Sequence, residues 1–236
     1  MIPLTCEEKR EQLLTIYRKV SLLSQKNGCS VWRIRHRELE RDLVLHELPS
    51  PNAVYEELCS VRSPHLPAVY DVFSLDDGMI VLEEYIDGLT VAQVAETGRY
   101  RPAGAKQIIH AVCDGLTVLH NRNIVHRDIK PENIMVDANG RVVLIDFNAA
   151  RKVSLKSRDT VVMGTLGYAS PEQLGISQTD ARADIYAAGI LLNVLLTGKH
   201  PSDELARGHM GRVVRKCTDI DPTRRYQTAQ KLADSL

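Results

Sequence analysis

Residues 126–133 read His-Arg-Asp-Ile-Lys-Pro-Glu-Asn, which sets a carboxylate (Asp128), an ammonium (Lys130) and an amide (Asn133) on one short charged stretch between apolar runs. Thirteen residues after Asn133 a second carboxylate, Asp146, heads the tripeptide Asp146-Phe147-Asn148. Carboxylate and amide oxygens suit a hard divalent cation. Such a cation beside a carboxylate and a lysine is the working set of metal-assisted phosphoryl transfer. Any one of these residues alone would be a turn former or a cap; their grouping is what points to chemistry.

Composition narrows the classes. At 236 residues the chain suits one large domain or two small lobes. Its 30 basic and 30 acidic residues cancel, so no net field draws it to nucleic acid or to an anionic membrane. The five cysteines (Cys6, Cys29, Cys59, Cys113 and Cys217) are odd in number, scattered and never spaced C-x-x-C. That usage fits free thiols in a reducing compartment better than a disulfide frame or a zinc site. The start carries charge where a signal peptide needs an apolar stretch. The longest apolar run, Tyr186 to Leu196, is too short to span a bilayer and is broken by Gly189 and Asn193. The expectation is a cytoplasmic chain with no membrane segment and no nucleic-acid partner.

The elements that must position the cluster follow from periodicity. Residues 7–23 begin helix-compatible and turn β-rich at Tyr17; Ser30 to Arg35 and Asp42 to Leu48 alternate as strands, and Asn27-Gly28 is a hairpin signal. A helix starting near Pro51 presents Val54, Leu58 and Val61 on one face and must stop before Ser63-Pro64. Val69 to Leu75 and Met79 to Tyr85 form a further strand pair, and Ile86-Asp87-Gly88 is the candidate hinge. Beyond it the pattern is helical, at Val91 to Glu96, Pro102 to Asn121, Asp184 to Leu196, Val213 to Cys217 and Thr228 to Leu236. Two short strands, Ile134 to Val136 and Val142 to Ile145, follow the charged stretch. Lys152 to Thr165 has no periodicity and reads as a mobile loop.

In this order of elements, HRDIKPEN at 126–133, DFN at 146–148, GTLGYASPEQ at 164–173, DIYAAGILL at 184–192 and DPTRRY at 221–226 resemble the eukaryotic-type (Hanks-type) Ser/Thr protein kinases. The compact stretch after Pro201 resembles their bacterial branch. The resemblance implies an α+β, two-lobed protein kinase fold: a small antiparallel sheet lobe with one helix over residues 1–86, and a larger, mainly helical lobe over 87–236. It implies transfer of the γ-phosphate of ATP, with Mg2+, to Ser or Thr hydroxyls of a protein substrate. On this resemblance Asp128 would accept or orient the substrate proton and Lys130 would neutralise the phosphoryl group in transit, while Asn133 and Asp146 would hold magnesium. Val31 and Val44 above the adenine and Met135 below would enclose it, with backbone groups of Glu84 and Ile86 at its edge. Asp184 would anchor the charged loop, Glu172 would pair with Arg225, and His126 and Phe147 would be packing residues. Ser154, Ser157, Thr160 and Thr165 could be phosphorylated, with Arg127 as the receiver; from its place in GTLGY, Thr165 would instead hydrogen-bond near Asp128 and Lys130.

The sequence also departs from the family. The three glycines of the usual phosphate-covering loop fall at Ser24, Lys26 and Cys29, so the flap should be stiffer or sit farther out. Leu43-Val44-Leu45-His46 puts a histidine where the phosphate-binding lysine is usual. The glutamate that would pair with that lysine falls at Val54, unless a short gap brings Glu56 or Glu57 into place. A phosphate favours charged imidazole, so His46 could be a weaker, pH-dependent substitute; Lys26 could be another if it reaches inward. Glu83 is polar where an apolar residue is frequent and should reshape the rear of the pocket. Asn148 replaces a glycine, a change that Asn tolerates better than other side-chain-bearing residues. Three functions remain: an active Ser/Thr kinase with a weakened phosphate grip, a pseudokinase serving as a nucleotide-binding or scaffold module, and a small-molecule kinase. GTLGYASPEQ, which resembles a peptide-docking platform, argues against the last.

Overall fold

The computed structural model describes residues 5–96, 98, 100–153, 165, 167–174 and 179–236. Ser154, Ser157 and Thr160 lie outside the described residues. The chain divides into two compact units, Met1–Arg62 with Pro67–Ile86, and Ser63–Leu66 with Asp87–Leu236.

In the first unit, α1 (Cys6–Ile16) opens on a capping box, in which Thr5 Oγ1 accepts from Glu8 N and the Glu8 carboxylate accepts from Thr5 N. The chain continues through β1 (Tyr17–Lys26), β2 (Cys29–His36), β3 (Asp42–Leu48), α2 (Ala53–Leu58), β4 (Val69–Leu75) and β5 (Gly78–Glu84). These strands form one antiparallel sheet in the order β1-β2-β3-β5-β4. β1 and β2 are joined by Asn27-Gly28 alone, with φ of 51° and 78°, the two left-handed residues that a type I′ hairpin needs. Alternation along β3 and β5 sorts the sheet's faces. Leu43, Leu45, Ile80 and Leu82 cluster with Ile34 and Leu13 of α1. Val44, His46, Val81 and Glu83 take the opposite face. Helix α2 is shorter than the sequence suggests, because after Leu58 the chain turns more tightly, with Val61 N donating to Leu58 O at 3.0 Å. That turn still buries Val61 together with Val54 and Leu58.

The second unit contains β6 (Gly88–Thr90), α3 (Val91–Glu96), α4 (Pro102–His120), β7 (Ile124–Val125), β8 (Ile134–Asp137), β9 (Val142–Leu144), β10 (Arg151–Lys152), α5 (Ala181–Thr197), α6 (Gly208–Cys217) and α7 (Ala229–Ala233). Strands β6, β8 and β9 form one small sheet, and β7 pairs with β10. The expected stripe of α4, including Ile109, Val112, Leu116 and Leu119, is buried. Helix α5 starts at Ala181, before the apolar run itself, because the Asp180 side chain accepts from Arg182 N at 2.8 Å and caps it. It ends where Gly198 takes a φ of 76°. Helix α6 begins at Gly208, ahead of the predicted Val213, because its first turn, Gly208-His209-Met210-Gly211, has two glycines and a single apolar side chain and so shows no periodic signal. Among the described residues no helix is long and apolar enough to cross a membrane.

Gly189 of α5 faces α6 so closely that an added Cβ would lie 2.2 Å from Cys217 Cβ. Alanine would gain about 1 kcal/mol in helix propensity, but overpacking costs about 1–3 kcal/mol, and a contact this short calls on the upper end. Gly189→Ala is therefore expected to lower the urea midpoint by the equivalent of about 1–2 kcal/mol. An unchanged or raised midpoint would mean that the two helices do not meet at this residue.

Candidate functional site

In the second unit the shape of the charged loop is set from inside α5. The buried Asp184 carboxylate accepts from His126 N at 2.9 Å through Oδ2 and from Arg127 N at 2.8 Å through Oδ1, and His120 Nε2 lies 2.8 Å from Oδ2. This ligation holds Arg127 at a φ of 66°, which is strained for a side-chain-bearing residue. Arg127 Nε donates to Ala149 O at 2.8 Å. Burial lowers the pKa of His126 against the opposing pull of Asp184, Asp146 and Asp128. Its Nδ1 accepts from Asp128 N at 3.4 Å and its Nε2 faces Ile145 O at 3.2 Å, the pattern of a neutral ring protonated on Nε2. The ring packs edge-on against Phe147, with centroids 5.2 Å apart. His126 and Phe147 are thus packing residues, as the sequence suggests.

Asp128 sits in a closed set of polar partners. Thr165 Oγ1 donates to Oδ1 at 2.7 Å, while Oδ2 accepts from Asn133 Nδ2 at 2.8 Å and lies 2.8 Å from Lys130 Nζ. Lys130 Nζ also donates to Thr165 Oγ1 at 2.7 Å. Burial works to raise the pKa of Asp128, but the hydrogen bonds from Lys130, Thr165 and Asn133 outweigh it and hold the carboxyl below its ordinary value. An ionised acceptor fixed beside a lysine can take or orient a hydroxyl proton while the lysine meets an anion. Asn133 commits its nitrogen to Asp128, including the backbone oxygen at 2.9 Å, which leaves its amide oxygen as the atom to offer a cation. Asp146 adopts a φ of 67°, and Asn148 N donates to its Oδ1 at 3.2 Å. That local bond lets the tripeptide turn without glycine at Asn148. Among the described residues no group of three or more His, Cys, Asp or Glu could hold a metal. An amide oxygen and a carboxylate, as Asn133 and Asp146 carry, are the donor types that a hard divalent cation takes together with phosphate and water oxygens.

The segment after Thr165 is tied to the same loop. Gln173 Nε2 donates to Arg127 O at 2.8 Å, and Ser170 N donates to Gln173 Oε1 at 3.2 Å. Next to it the Arg225 guanidinium grips Glu172 with both forks, at 2.6 and 3.0 Å, and donates to Arg182 O and Asp219 O. Both charges are buried.

In the first unit the inner face of the sheet presents Val44 and His46 of β3 beside Val81 and Glu83 of β5, with Val31 of β2 in register with His46. His46 Nε2 lies 3.5 Å from Glu83 Oε1, with both side chains buried. The residue of α2 whose ring lies against His46 is Tyr55, at a centroid separation of 5.7 Å. Glu56 does not fill the missing glutamate's place: it is exposed and accepts from Ser74 Oγ on β4 at 2.7 Å. The carboxylate beside His46 comes from the neighbouring strand, a pairing that sequence reasoning missed although the alternation of residues 44, 46, 81 and 83 contained it. Lys26 is exposed, in register with Cys29 at the end of the hairpin. Glu84 N donates to Ala68 O at 2.9 Å, and Glu84 Oε2 accepts from Ala68 N at 3.1 Å, so the N–H of Glu84 is already engaged. Met135 lies on β8 in the second unit, paired with Thr90 and Val143.

Comparison with known proteins agrees with this geometry. The model of the protein kinase domain matches residues 45–235. The serine/threonine-protein kinase PrkC of Bacillus subtilis is 31% identical over 199 residues, covering 73% of this chain and 31% of its own. The serine/threonine-protein kinase PknB of Mycobacterium leprae is 31% identical over 212 residues, covering 77% and 34%. A probable serine/threonine-protein kinase of Corynebacterium efficiens reaches 39% over 147 residues, covering 58% and 22%. The chain spans about a third of the length of PrkC and PknB.

Removing one partner of a buried ion pair leaves an uncompensated charge and costs about 3–5 kcal/mol. Glu172→Ala, which strands Arg225, is therefore expected to lower the unfolding free energy by about 3 kcal/mol in denaturant titration. A loss below about 1 kcal/mol, the range of exposed pairs, would mean that the pair is open to water.

Proposed function

The chain belongs to the protein kinase family, in the bacterial branch of the eukaryotic-type (Hanks-type) Ser/Thr kinases, and on that premise we propose that it transfers the γ-phosphate of ATP to Ser or Thr hydroxyls of a protein substrate. The observation that carries this reading is the set of hydrogen bonds that keeps Asp128 ionised between Lys130, Thr165 and Asn133. In this reading Asp128 accepts or orients the substrate proton and Lys130 neutralises the phosphoryl group in transit. Asn133 and Asp146 hold Mg2+, which when bound offsets the charge of the phosphates. For the base, Val31, Val44 and Met135 offer apolar surface. Glu84 and Ile86 remain the hinge residues, with Ile86 as the backbone donor because the N–H of Glu84 is taken by Ala68.

The phosphate grip is weaker than in a kinase with the usual lysine. His46 stands in the lysine's place with Glu83 beside it, and the covering hairpin lacks the glycines that let backbone amides approach phosphate. A lost charge-assisted contact costs about 1.5–3 kcal/mol, so the reaction slows by about ten- to a hundredfold and is not abolished. The same hairpin, closed by the tight Asn27-Gly28 turn with Lys26 exposed, favours a second reading: a pseudokinase that holds nucleotide as a scaffold or allosteric module.

Incubated with labelled ATP, Mg2+ and a generic basic protein, the chain is expected to incorporate phosphate on Ser and Thr, and Asp128→Ala to reduce the rate by about a hundredfold or more. Nucleotide binding without transfer would replace this reading with the pseudokinase. The lowered pKa of Asp128 leaves its carboxylate charged throughout pH 6 to 8, so Asp128 imposes no slope there. A rate that climbs toward pH 6 and becomes flat in His46→Ala would assign the phosphate contact to His46; a flat profile in the unaltered chain would remove it from that role.

A further inference from the structure

We propose that the pocket beside the start of α6 is a docking site for a phosphorylated side chain of a protein partner. The chain from Leu205 and the first turns of α6 line a cavity of about 440 Å³, a size suited to a compact ligand group. Three guanidiniums line it: Arg207 just before the helix, and Arg212 and Arg215 on one face of it. All three residues are exposed. Among the described residues no carboxylate pairs with any of them, whereas other surface cations are paired, such as Lys199 with Glu204 at 3.0 Å and Arg224 with Asp221 at 3.7 Å. In a chain with equal numbers of acidic and basic residues, this is an uncompensated concentration of positive charge.

The chemistry of the lining selects the occupant. Gly208 leaves open space where a Cβ would stand, so a compact group can come close to the backbone there. Guanidinium forks bind oxyanions bidentately, and a phosphate monoester brings almost two negative charges and three acceptor oxygens on one small head. A run of carboxylates would need its cations strung along a groove. The half-buried Leu205 in the lining suits an apolar residue next to the phosphorylated one. A lipid surface fits less well, because Val213 and Val214 of α6 are buried and its exposed side chains, His209, Arg212, Arg215 and Lys216, are all polar, leaving only the half-buried Met210 to meet a bilayer. The proposal rests on the protein-directed reading above only in taking the partner to be a protein.

The test is fluorescence polarisation of dye-labelled nonapeptides with a central phosphoserine and degenerate flanks, titrated with the full chain in the absence of ATP and Mg2+. Saturable binding is expected, lost with the unphosphorylated peptides and weakened about tenfold by Arg212→Ala or Arg215→Ala, with thermal unfolding of these surface variants unchanged. Equal binding of both peptide sets, indifference to the paired Arg212→Ala and Arg215→Ala change, or stronger retention on phosphatidylserine vesicles than on phosphopeptide would overturn it. Because no ATP is present, phosphopeptide binding by a chain that transfers no phosphate would count against the catalytic reading alone.

Discussion

A carboxylate sealed inside a protein must be met by donors or it destabilises the fold by several kcal/mol, and Asp184 is such a carboxylate. Its donors are the backbone of His126, the backbone of Arg127 and the His120 ring. Hydrogen bonds to a charged group contribute about 1.5–3 kcal/mol each, so three of them offset the burial and hold Arg127 in a left-handed conformation that it would not otherwise keep. Once that turn exists, the Arg127 carbonyl faces Gln173 and its guanidinium faces Ala149. The loop, the stretch after Asp146 and the segment after Thr165 are therefore fixed through one residue of α5, and Asp128 inherits its position from them.

Buried polarity is handled differently around Asp128 and around His46. Both carboxylate oxygens of Asp128 find partners, and the set has the closed connectivity that rigidifies a polar network. On the inner face of the first unit's sheet, His46 and Glu83 lie side by side without such closure: both ring nitrogens of His46 and Glu83 Oε2 lack hydrogen-bond partners among the described residues. Polar atoms left in this state cost stability, and proteins keep such costs mainly where function requires them. The first unit thus concentrates its unpartnered polar atoms at His46 and Glu83, whereas Asp128 in the second unit is held by Lys130, Thr165 and Asn133.

How much was legible beforehand depends on the range of the interaction. The hairpin at Asn27-Gly28 and the α4 stripe are written in neighbouring residues, and both were readable. Asp184 and the Glu172–Arg225 pair were readable through the resemblance, although their partners are far away in the chain. The first turn of α6 was not, because Gly208-His209-Met210-Gly211 carries one apolar side chain and no periodic signal; nor was the partner of His46. Counting along α2 offers Val54, Glu56 or Glu57 for that place. The carboxylate actually supplied comes from β5, because strand register puts His46 and Glu83 on one face of the sheet.

The amino-acid order by itself determined the residue types of the charged loop at 126–133, their spacing and the family to which they belong, since these are matters of local chemistry. The place of Thr165 beside Asp128 and Lys130 was also readable, through the resemblance; only the tertiary structure decided that Glu83 and Tyr55 flank His46, and that Arg207, Arg212 and Arg215 line one cavity. Each of these depends on packing or register between segments, and contacts of that kind are specified jointly by the whole core, not by any stretch that can be read alone.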